Sequence, residues 1–264
     1  PGGRHLVAVG FESGALRIFD IDGPAMLCES RHHTKPVISL VFAVACEGSR
    51  TALIVTCDTM GALVFHDEAR KFEVVRCPER SPCSTPPDHC AAIACAQGRM
   101  VQYQDTNSAM LLAFPSLNTI RRLRAPSSSI CTLGFSRHGR FAVMGTADCR
   151  LHLFEAAAGV HCIAYALASG PPTAVALVEP SLQAGVHVSQ LPLMLIAATA
   201  DGLLRASHLR GPQMRSRPAA GEKGEQAAGR EGSEDAPLVV TPGDVEEQCF
   251  MGHALAPHCV LLTK

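Results

Sequence analysis

The chain has 264 residues, is 47% hydrophobic and 18% charged, and carries a formal net charge of −1. This apolar content is enough for a sizeable core in one large domain or a fragment of one. The near-neutral charge argues against a nucleic-acid partner, which would favour a strong basic excess. The longest apolar runs, Val37–Cys46 and Leu191–Ala200, are about half as long as a membrane-spanning helix, so we expect no membrane partner.

The two ends and the cysteines indicate the setting of the chain. Pro1–Leu6 has no signal-peptide pattern and no initiating Met is present, so we expect a piece of a longer, non-secreted protein. Twelve cysteines occur, mostly within apolar stretches. Buried reduced thiols of a cytosolic protein explain them better than a disulfide framework does.

Short alternating or apolar segments predict strands along almost the whole chain. In chain order, strands are predicted near 6–10, 15–19, 37–42, 51–56, 62–66, 130–135, 141–145, 151–154 and 193–198. Further strands are predicted at Ala25–Ser30, Phe72–Arg76, Thr119–Leu123 and Val160–Tyr165. No segment between residues 5 and 210 has a helical period, so the pattern predicts an all-β fold.

One pattern recurs along these strands. A small residue is followed by a polar turn and then by an alternating strand that ends in an aromatic residue and an acid, as in Gly10–Asp20, Thr56–Asp67 and Gly145–Glu155. Weaker copies lie at Ser108–Phe114 and Ala198–His208. The equivalent leucines are Leu16, Leu63, Leu111, Leu151 and Leu204, which are 47, 48, 40 and 53 residues apart. Such spacing favours β-propeller blades of four antiparallel strands, about five of them, in an incomplete ring.

Several of these residues resemble the WD-repeat family. Phe19-Asp20, Phe154-Glu155 and His66-Asp67 stand where the family has Trp-Asp, and Asp148 and Asp201 match its turn aspartate. His33 and Gly252-His253 resemble its Gly-His element. The resemblance implies a hydrogen-bonded network of His, Ser or Thr, Asp and Trp that locks each blade. The chain has no Trp, and no blade has the full set, so we expect locking to depend more on packing.

The stretches Val9–Ile21, Arg31–Phe42 and Cys249–His253 are similar to the large centriolar and ciliary WD-repeat proteins. That resemblance implies several degenerate propellers, association with microtubules of the centriole wall and a part in building cilia. Its expected location is the cytoplasm and cytoskeleton, at the centriole, basal body or cilium.

Composition divides the chain into three parts. Residues 1–210 carry the WD-type blades. Residues 211–237 contain almost no large apolar side chain, so we expect a disordered low-complexity insert. Residues 238–264 resume the apolar pattern and are expected to begin a further, truncated blade. Open sheet edges are expected at the ends of such an incomplete ring.

The search for catalytic or metal chemistry gives weak candidates. Cys83, Cys90, Cys95 and His89 form the densest metal-like group, but their spacing lacks the paired short gaps typical of zinc sites. Ser136 lies in a segment that partly resembles a nucleophile elbow, yet it fits a propeller turn better. We therefore predict no enzyme activity, no metal, no cofactor and no small-molecule substrate.

The functional expectation is a scaffold that binds other proteins. Arg121, Arg122 and Arg124 form a small basic patch, and they are our candidate contacts for an acidic partner such as the surface of tubulin. A solvated strand end is the plainer explanation of the same three arginines. Two other classes stay open, namely a generic WD-repeat adaptor of ubiquitin ligation or RNA processing and, with less support, a propeller enzyme.

Overall fold

The computed structural model describes residues 5–23, 25–44, 52–76, 93–96, 98–125, 128–168, 170–178, 193–209, 238–240 and 246–251. These residues form strands and tight turns, with a single short 3-10 helix at Glu68–Arg70 and no α-helix in the described part. The prediction of an all-β fold is confirmed. No helix within the described residues is long and apolar enough to cross a membrane.

Within the described residues, twenty strands form five sheets that follow one another along the chain. The first sheet contains β1 (Leu6–Gly10), β2 (Leu16–Asp20) and β3 (Met26–Ser30). The second contains β4 (Val37–Val44), β5 (Ala52–Asp58), β6 (Leu63–Asp67) and β7 (Glu73–Arg76). The third contains β8 (Ile93–Ala96), β9 (Arg99–Asp105), β10 (Ser108–Ala113) and β11 (Thr119–Arg124).

Late in the chain, one strand is added to the fourth sheet and one to the fifth. The fourth contains β12 (Ile130–Phe135), β13 (Phe141–Thr146), β14 (Arg150–Glu155), β15 (Val160–Ala166) and β19 (Leu238–Val240). The fifth contains β16 (Pro172–Val178), β17 (Leu193–Thr199), β18 (Leu203–Leu209) and β20 (Glu246–Met251). Among the strands of the described residues, all pairings are antiparallel except that of β15 with β19, and one isolated parallel bridge joins Ser136 to Leu177.

The sheets are arranged side by side around their first strands. β4 contacts β8, β8 contacts β12, and β12 contacts β16, so the first strands of successive sheets are neighbours. Several four-stranded antiparallel sheets in this order are compatible with a propeller-like fold, and the ring is not closed. We call the contact between two neighbouring sheets a seam.

Side-chain alternation places apolar residues in the seams on both faces of a sheet. Leu16 and Ile18 of β2 pack with Ile54 of β5, which fills the seam of the first two sheets. In the fourth sheet, Leu151 and Leu153 face the fifth sheet, and the opposite face joins the core shared with the second and third sheets. Strand β13 is therefore buried at every position, as a strand covered on both faces must be.

Turn residues fix the hairpins that join these strands. Gly14, at φ +80°, has no room for a side chain, because a Cβ there would lie 2.3 Å from the carbonyl oxygen of His33. This close approach holds the β1–β2 hairpin against the segment that leads into β4. Gly139, at φ +65°, makes the turn between β12 and β13 that the sequence pattern predicted.

Some expectations differ from the structure. The sequence pattern did not identify β8, β9 or β16, because these strands are short or only weakly alternating. Residues 238–264 were expected to open a further blade. In their described part, β19 instead extends the outer edge of the fourth sheet, and β20 forms the outer strand of the fifth. Residues 211–237 lie outside the described residues.

We expect the seams to carry most of the stability. Ile54 is fully buried between the first and second sheets, whereas Ile21 is 61% exposed in a turn. Ile54→Ala should lower the free energy of unfolding by about 2–5 kcal/mol, because it removes buried methyl groups and leaves a cavity. Ile21→Ala is the matched control and should change it by less than about 0.5 kcal/mol. Urea unfolding followed by circular dichroism measures both, and equal effects would contradict the seam assignment.

Candidate functional site

A Thr-x-Asp turn ends the second strand of three sheets. The pairs are Thr56 and Asp58, Thr146 and Asp148, and Thr199 and Asp201. The three threonines are fully buried. Each hydroxyl lies within 3.4 Å of a backbone carbonyl oxygen on the next strand, that of Val64, Arg150 or Leu203. The turns therefore pin the second and third strands of these sheets together from inside the seam.

The turn of the second sheet holds a buried histidine. The Nδ1 atom of His33 lies 3.2 Å from Oδ2 of Asp58, and its Nε2 lies 2.7 Å from Oγ1 of Thr56. The His33 and Asp58 side chains are only 2% and 4% exposed. The other carboxylate oxygen, Oδ1, accepts backbone hydrogen bonds from Met60 and Ala62. This network ties the connection from the first sheet to the turn of the second.

Burial lowers the pKa of His33, although the Asp58 carboxylate acts in the opposite direction. A neutral imidazole satisfies every partner if Nδ1–H donates to Asp58 and the bare Nε2 accepts from the Thr56 hydroxyl. Protonation would turn Nε2 into a donor and would direct the hydroxyl toward the more distant Val64 carbonyl. The network thus favours the neutral ring.

The fourth and fifth sheets show the same turn with a direct bond between its two side chains. The Thr146 hydroxyl donates directly to Asp148 at 2.6 Å, and the Thr199 hydroxyl donates to Asp201. Arg150 and Arg205 lie 3.7 and 3.9 Å from the two carboxylates as ion-pair partners. In these two turns the threonine therefore bonds to the aspartate itself, whereas in the second sheet His33 lies between the two side chains.

The positions that would hold Trp in the family are occupied differently in each sheet. Phe154 is buried and stacks on His161, with ring centroids 4.6 Å apart. His66 is buried and its Nδ1 lies 3.3 Å from the carbonyl oxygen of Phe72. Phe19 is only half-buried, opposite Val7 and Met26, on the face of the first sheet turned away from the second.

The acidic residues beside those positions shape turns. Asp20 accepts a hydrogen bond from the backbone N–H of Asp22 at 3.1 Å. The carbonyl of Glu155 accepts one from Gly159 at 2.7 Å, which closes the turn before β15. His253, the last predicted blade residue, lies outside the described residues.

The sequence pattern did not identify a pair of histidines at the seam of the third and fourth sheets. Nδ1 of His152 lies 3.1 Å from Nε2 of His161, and Nε2 of His152 is buried with no hydrogen-bond partner among the described residues. Burial and the neighbouring imidazole lower the pKa of His152 to about 4. The regular strand pattern gave no signal for this pair. The pairing of β14 with β15 shifts register at a bulge between Leu153 and Phe154, and this shift brings the two imidazoles together.

The three arginines of β11 have different surroundings. Arg122 donates to the Ser108 hydroxyl at 2.9 Å and forms an ion pair with Asp105. Arg121 packs its side chain over Gly159 in the fourth sheet, where a Cβ would lie 2.0 Å from its Cδ. Arg124 is cross-strand from Ser108, so it shares the face of Arg122, whereas Arg121 lies on the opposite face.

The candidates for catalysis fall at structural positions. Ser136 is fully buried, and its hydroxyl oxygen accepts the backbone N–H of Phe141 at 3.0 Å, which stabilises the β12–β13 turn. Cys95 lies in β8, while Cys83, Cys90 and His89 lie outside the described residues. Among the described residues, no group of three or more His, Cys, Asp or Glu side chains is arranged to hold a metal ion.

Comparison with known proteins bears on the fold alone. A scan against protein-family models and a search of curated proteins found no match. Many solved structures match, among them the crystal structure of the computationally designed Ika8 protein, with a TM-score of 0.57 and 14% identity. The match covers 80% of this chain, which spans 58% of that structure. The TM-score indicates a similar fold, and an identity this low carries no function with it.

We expect the histidine network to make Asp58 more important than its counterpart Asp148. Asp58→Asn should lower the free energy of unfolding by about 1–3 kcal/mol, because a buried charge-assisted hydrogen bond to His33 is lost. Asp148→Asn tests the same turn position where the threonine bonds directly to the aspartate, at a carboxylate that is 29% exposed, and should have a smaller effect. Urea unfolding of both variants decides the comparison; an equal or larger loss at Asp148 would argue against it.

Stability should fall between about pH 6.5 and pH 4. Burial lowers the pKa values of His66 and His152 from 6.5 to about 4. In this window the unfolded chain binds these protons and the folded chain does not, so each histidine contributes about 1.4 kcal/mol per pH unit. Their stabilisation is fully present above pH 6.5 and is lost as the pH drops toward 4.

Urea unfolding at a series of pH values measures this slope. His152→Asn should flatten it relative to the parent chain, and the matched control is His138→Asn, at an exposed turn position. A slope that His152→Asn leaves unchanged would show that this imidazole is not responsible.

Proposed function

We propose that this chain is a non-catalytic, WD-repeat-type propeller scaffold that binds other proteins. We assign it to a microtubule-associated WD-repeat protein of the centriole or cilium, working in the cytoplasm and cytoskeleton. The observation that carries the proposal is the network of His33, Thr56 and Asp58. It joins the residue types that the WD-repeat resemblance places in a blade-locking network, and the Thr-x-Asp turn recurs in two other sheets.

The use of the buried polar groups supports binding over catalysis. In three of the four seams a polar group links two sheets: Gln102 donates to the Gly61 carbonyl, Arg99 to the Gly139 carbonyl, and Ser207 to the Tyr165 hydroxyl. Groups committed to structural hydrogen bonds are poor candidates for acid–base or nucleophilic work. The outer strands and turns are left as surfaces for partners.

The centriolar assignment rests on the sequence similarity of Val9–Ile21, Arg31–Phe42 and Cys249–His253. The rival is a generic WD-repeat adaptor of ubiquitin ligation or RNA processing, which would use the same fold with other partners. A propeller enzyme would need several convergent polar side chains around one reacting centre.

A tagged form of the longest protein that contains this sequence tests the assignment in ciliated cells. We expect it to co-localise with a centriole marker and to co-sediment with microtubules at low salt, with binding that weakens as salt rises. A diffuse signal together with no microtubule association would overturn the centriolar assignment. Enrichment of ubiquitin-ligase or RNA-processing subunits in a proximity-labelling experiment would then favour the adaptor.

A further inference from the structure

We propose that the outer edge of β11 is a strand-addition site for an extended acidic peptide. The inference rests on the proposed protein-binding function and names the surface, the binding mode and the chemistry of the partner. In this mode a peptide pairs its backbone with the edge of a sheet and its side chains select the match.

The edge is available over a useful length. β11 is the outermost strand of the third sheet, and within the described residues no strand pairs with its outer side. Its six residues span about 20 Å, since a strand rises about 3.3 Å per residue. Only Leu123 of this strand is buried, so an arriving chain meets solvated backbone groups along the edge.

The same fold already accepts a strand at the equivalent place. β19 pairs in parallel with β15, the fourth strand of the fourth sheet, with Ile163 opposite Leu238 and Tyr165 opposite Val240. β15 and β11 hold the same position in their sheets. The outer edge of a sheet in this chain is therefore able to recruit a short extended segment.

Charge decides which segment fits β11. Arg121 and Arg124 make no ion pair with the described residues, whereas Arg122 is paired with Asp105. The three arginines repel a second copy of the same strand, which guards the edge against self-pairing. They attract a strand that carries carboxylates, so the same side chains exclude one partner and select another.

Because β11 has arginines on both faces, the added peptide needs carboxylates at successive positions. Arg121 lies on one face of the third sheet, and Arg122 and Arg124 lie on the other. Because side chains of an added strand alternate between the faces, neighbouring acidic residues meet arginines on both sides.

The outer strand of the first sheet does not offer the same chemistry. In β3, Glu29 pairs with both Arg17 and Arg31, which balances the local charge. Compared with β3, β11 therefore combines an open edge with unpaired positive charge.

The experiment uses the full chain and a fluorescein-labelled probe peptide, Thr-Glu-Val-Glu-Glu-Val-Glu-Thr, followed by fluorescence anisotropy. Two further peptides separate the contributions: one has Lys in place of Glu, and one keeps the glutamates but has N-methylated central amides. We expect the acidic peptide to bind and both of the others to bind at least about tenfold more weakly. Equal binding of the N-methylated peptide would mean charge attraction without strand pairing and would overturn the proposal.

Variants locate the site. Arg121→Glu combined with Arg124→Glu should weaken peptide binding at least about tenfold. The same two positions changed to Gln give a milder replacement, and circular dichroism checks the fold of each. The control is Arg70→Glu. Arg70 ends the 3-10 helix between β6 and β7, and its side chain is 67% exposed. Unchanged affinity in the double variant, or an equal loss in the control, would overturn the assignment to β11.

The strand-addition site and the proposed function can each fail without the other. If the probe peptide does not bind but the tagged protein still locates at centrioles, the strand-addition site fails and the scaffold proposal stands. If the peptide binds through β11 while the tagged protein stays diffuse, the site stands and the centriolar assignment fails. Light scattering of the chain without peptide detects self-pairing, and dimers lost in the Arg121→Glu and Arg124→Glu double variant would also overturn the proposal.

Discussion

Burial of both faces of each inner sheet is the constraint on which the rest of this structure depends. A four-stranded sheet with apolar side chains on both faces cannot be covered by solvent on either, so it needs a neighbour on each side. The fourth sheet shows the result: Leu151 and Leu153 enter one seam, and Met144 and Phe154 enter the other. The hydrophobic effect holds the sheets in order, and the short hairpins only set which residues face which seam.

Polar groups caught in these seams must find partners there, because an unsatisfied buried group costs about 1–3 kcal/mol. The Thr-x-Asp turns meet this demand with a hydroxyl and a carboxylate that satisfy the backbone around them. His33 extends one such turn into a link between two sheets. His152 is an exception, since one of its ring nitrogens is buried without a hydrogen-bond partner in the described part of the chain. Specificity at a seam is thus obtained at some cost in stability, and that cost becomes sensitive to pH when the group is an imidazole.

The local pattern was readable from the sequence, and the way the segments combine was not. Alternation at Leu16 and Ile18 and the apolar run of β13 predicted these strands, because each pattern depends only on neighbours in the chain. β8 and β16 were missed because short or weakly alternating segments give only a weak local signal. Asp58 was visible in the repeat, yet its bond to His33 joins residues 25 positions apart. The three arginines looked like one cluster, but strand alternation and the ion pair to Asp105 separate them.

The seams also explain why the edges, more than the faces, are suited to partners. In the inner sheets both faces are already buried, so a partner there would have to displace a neighbouring sheet and its whole apolar contact. The first sheet is different, since Val7 and Met26 are 41% and 50% exposed on the face turned away from the second sheet. An apolar face of that kind recognises shape and area without discriminating charge. An outer strand such as β11 offers directional backbone groups framed by arginines. Binding at this edge leaves every seam intact, so a partner can come and go without disturbing the core.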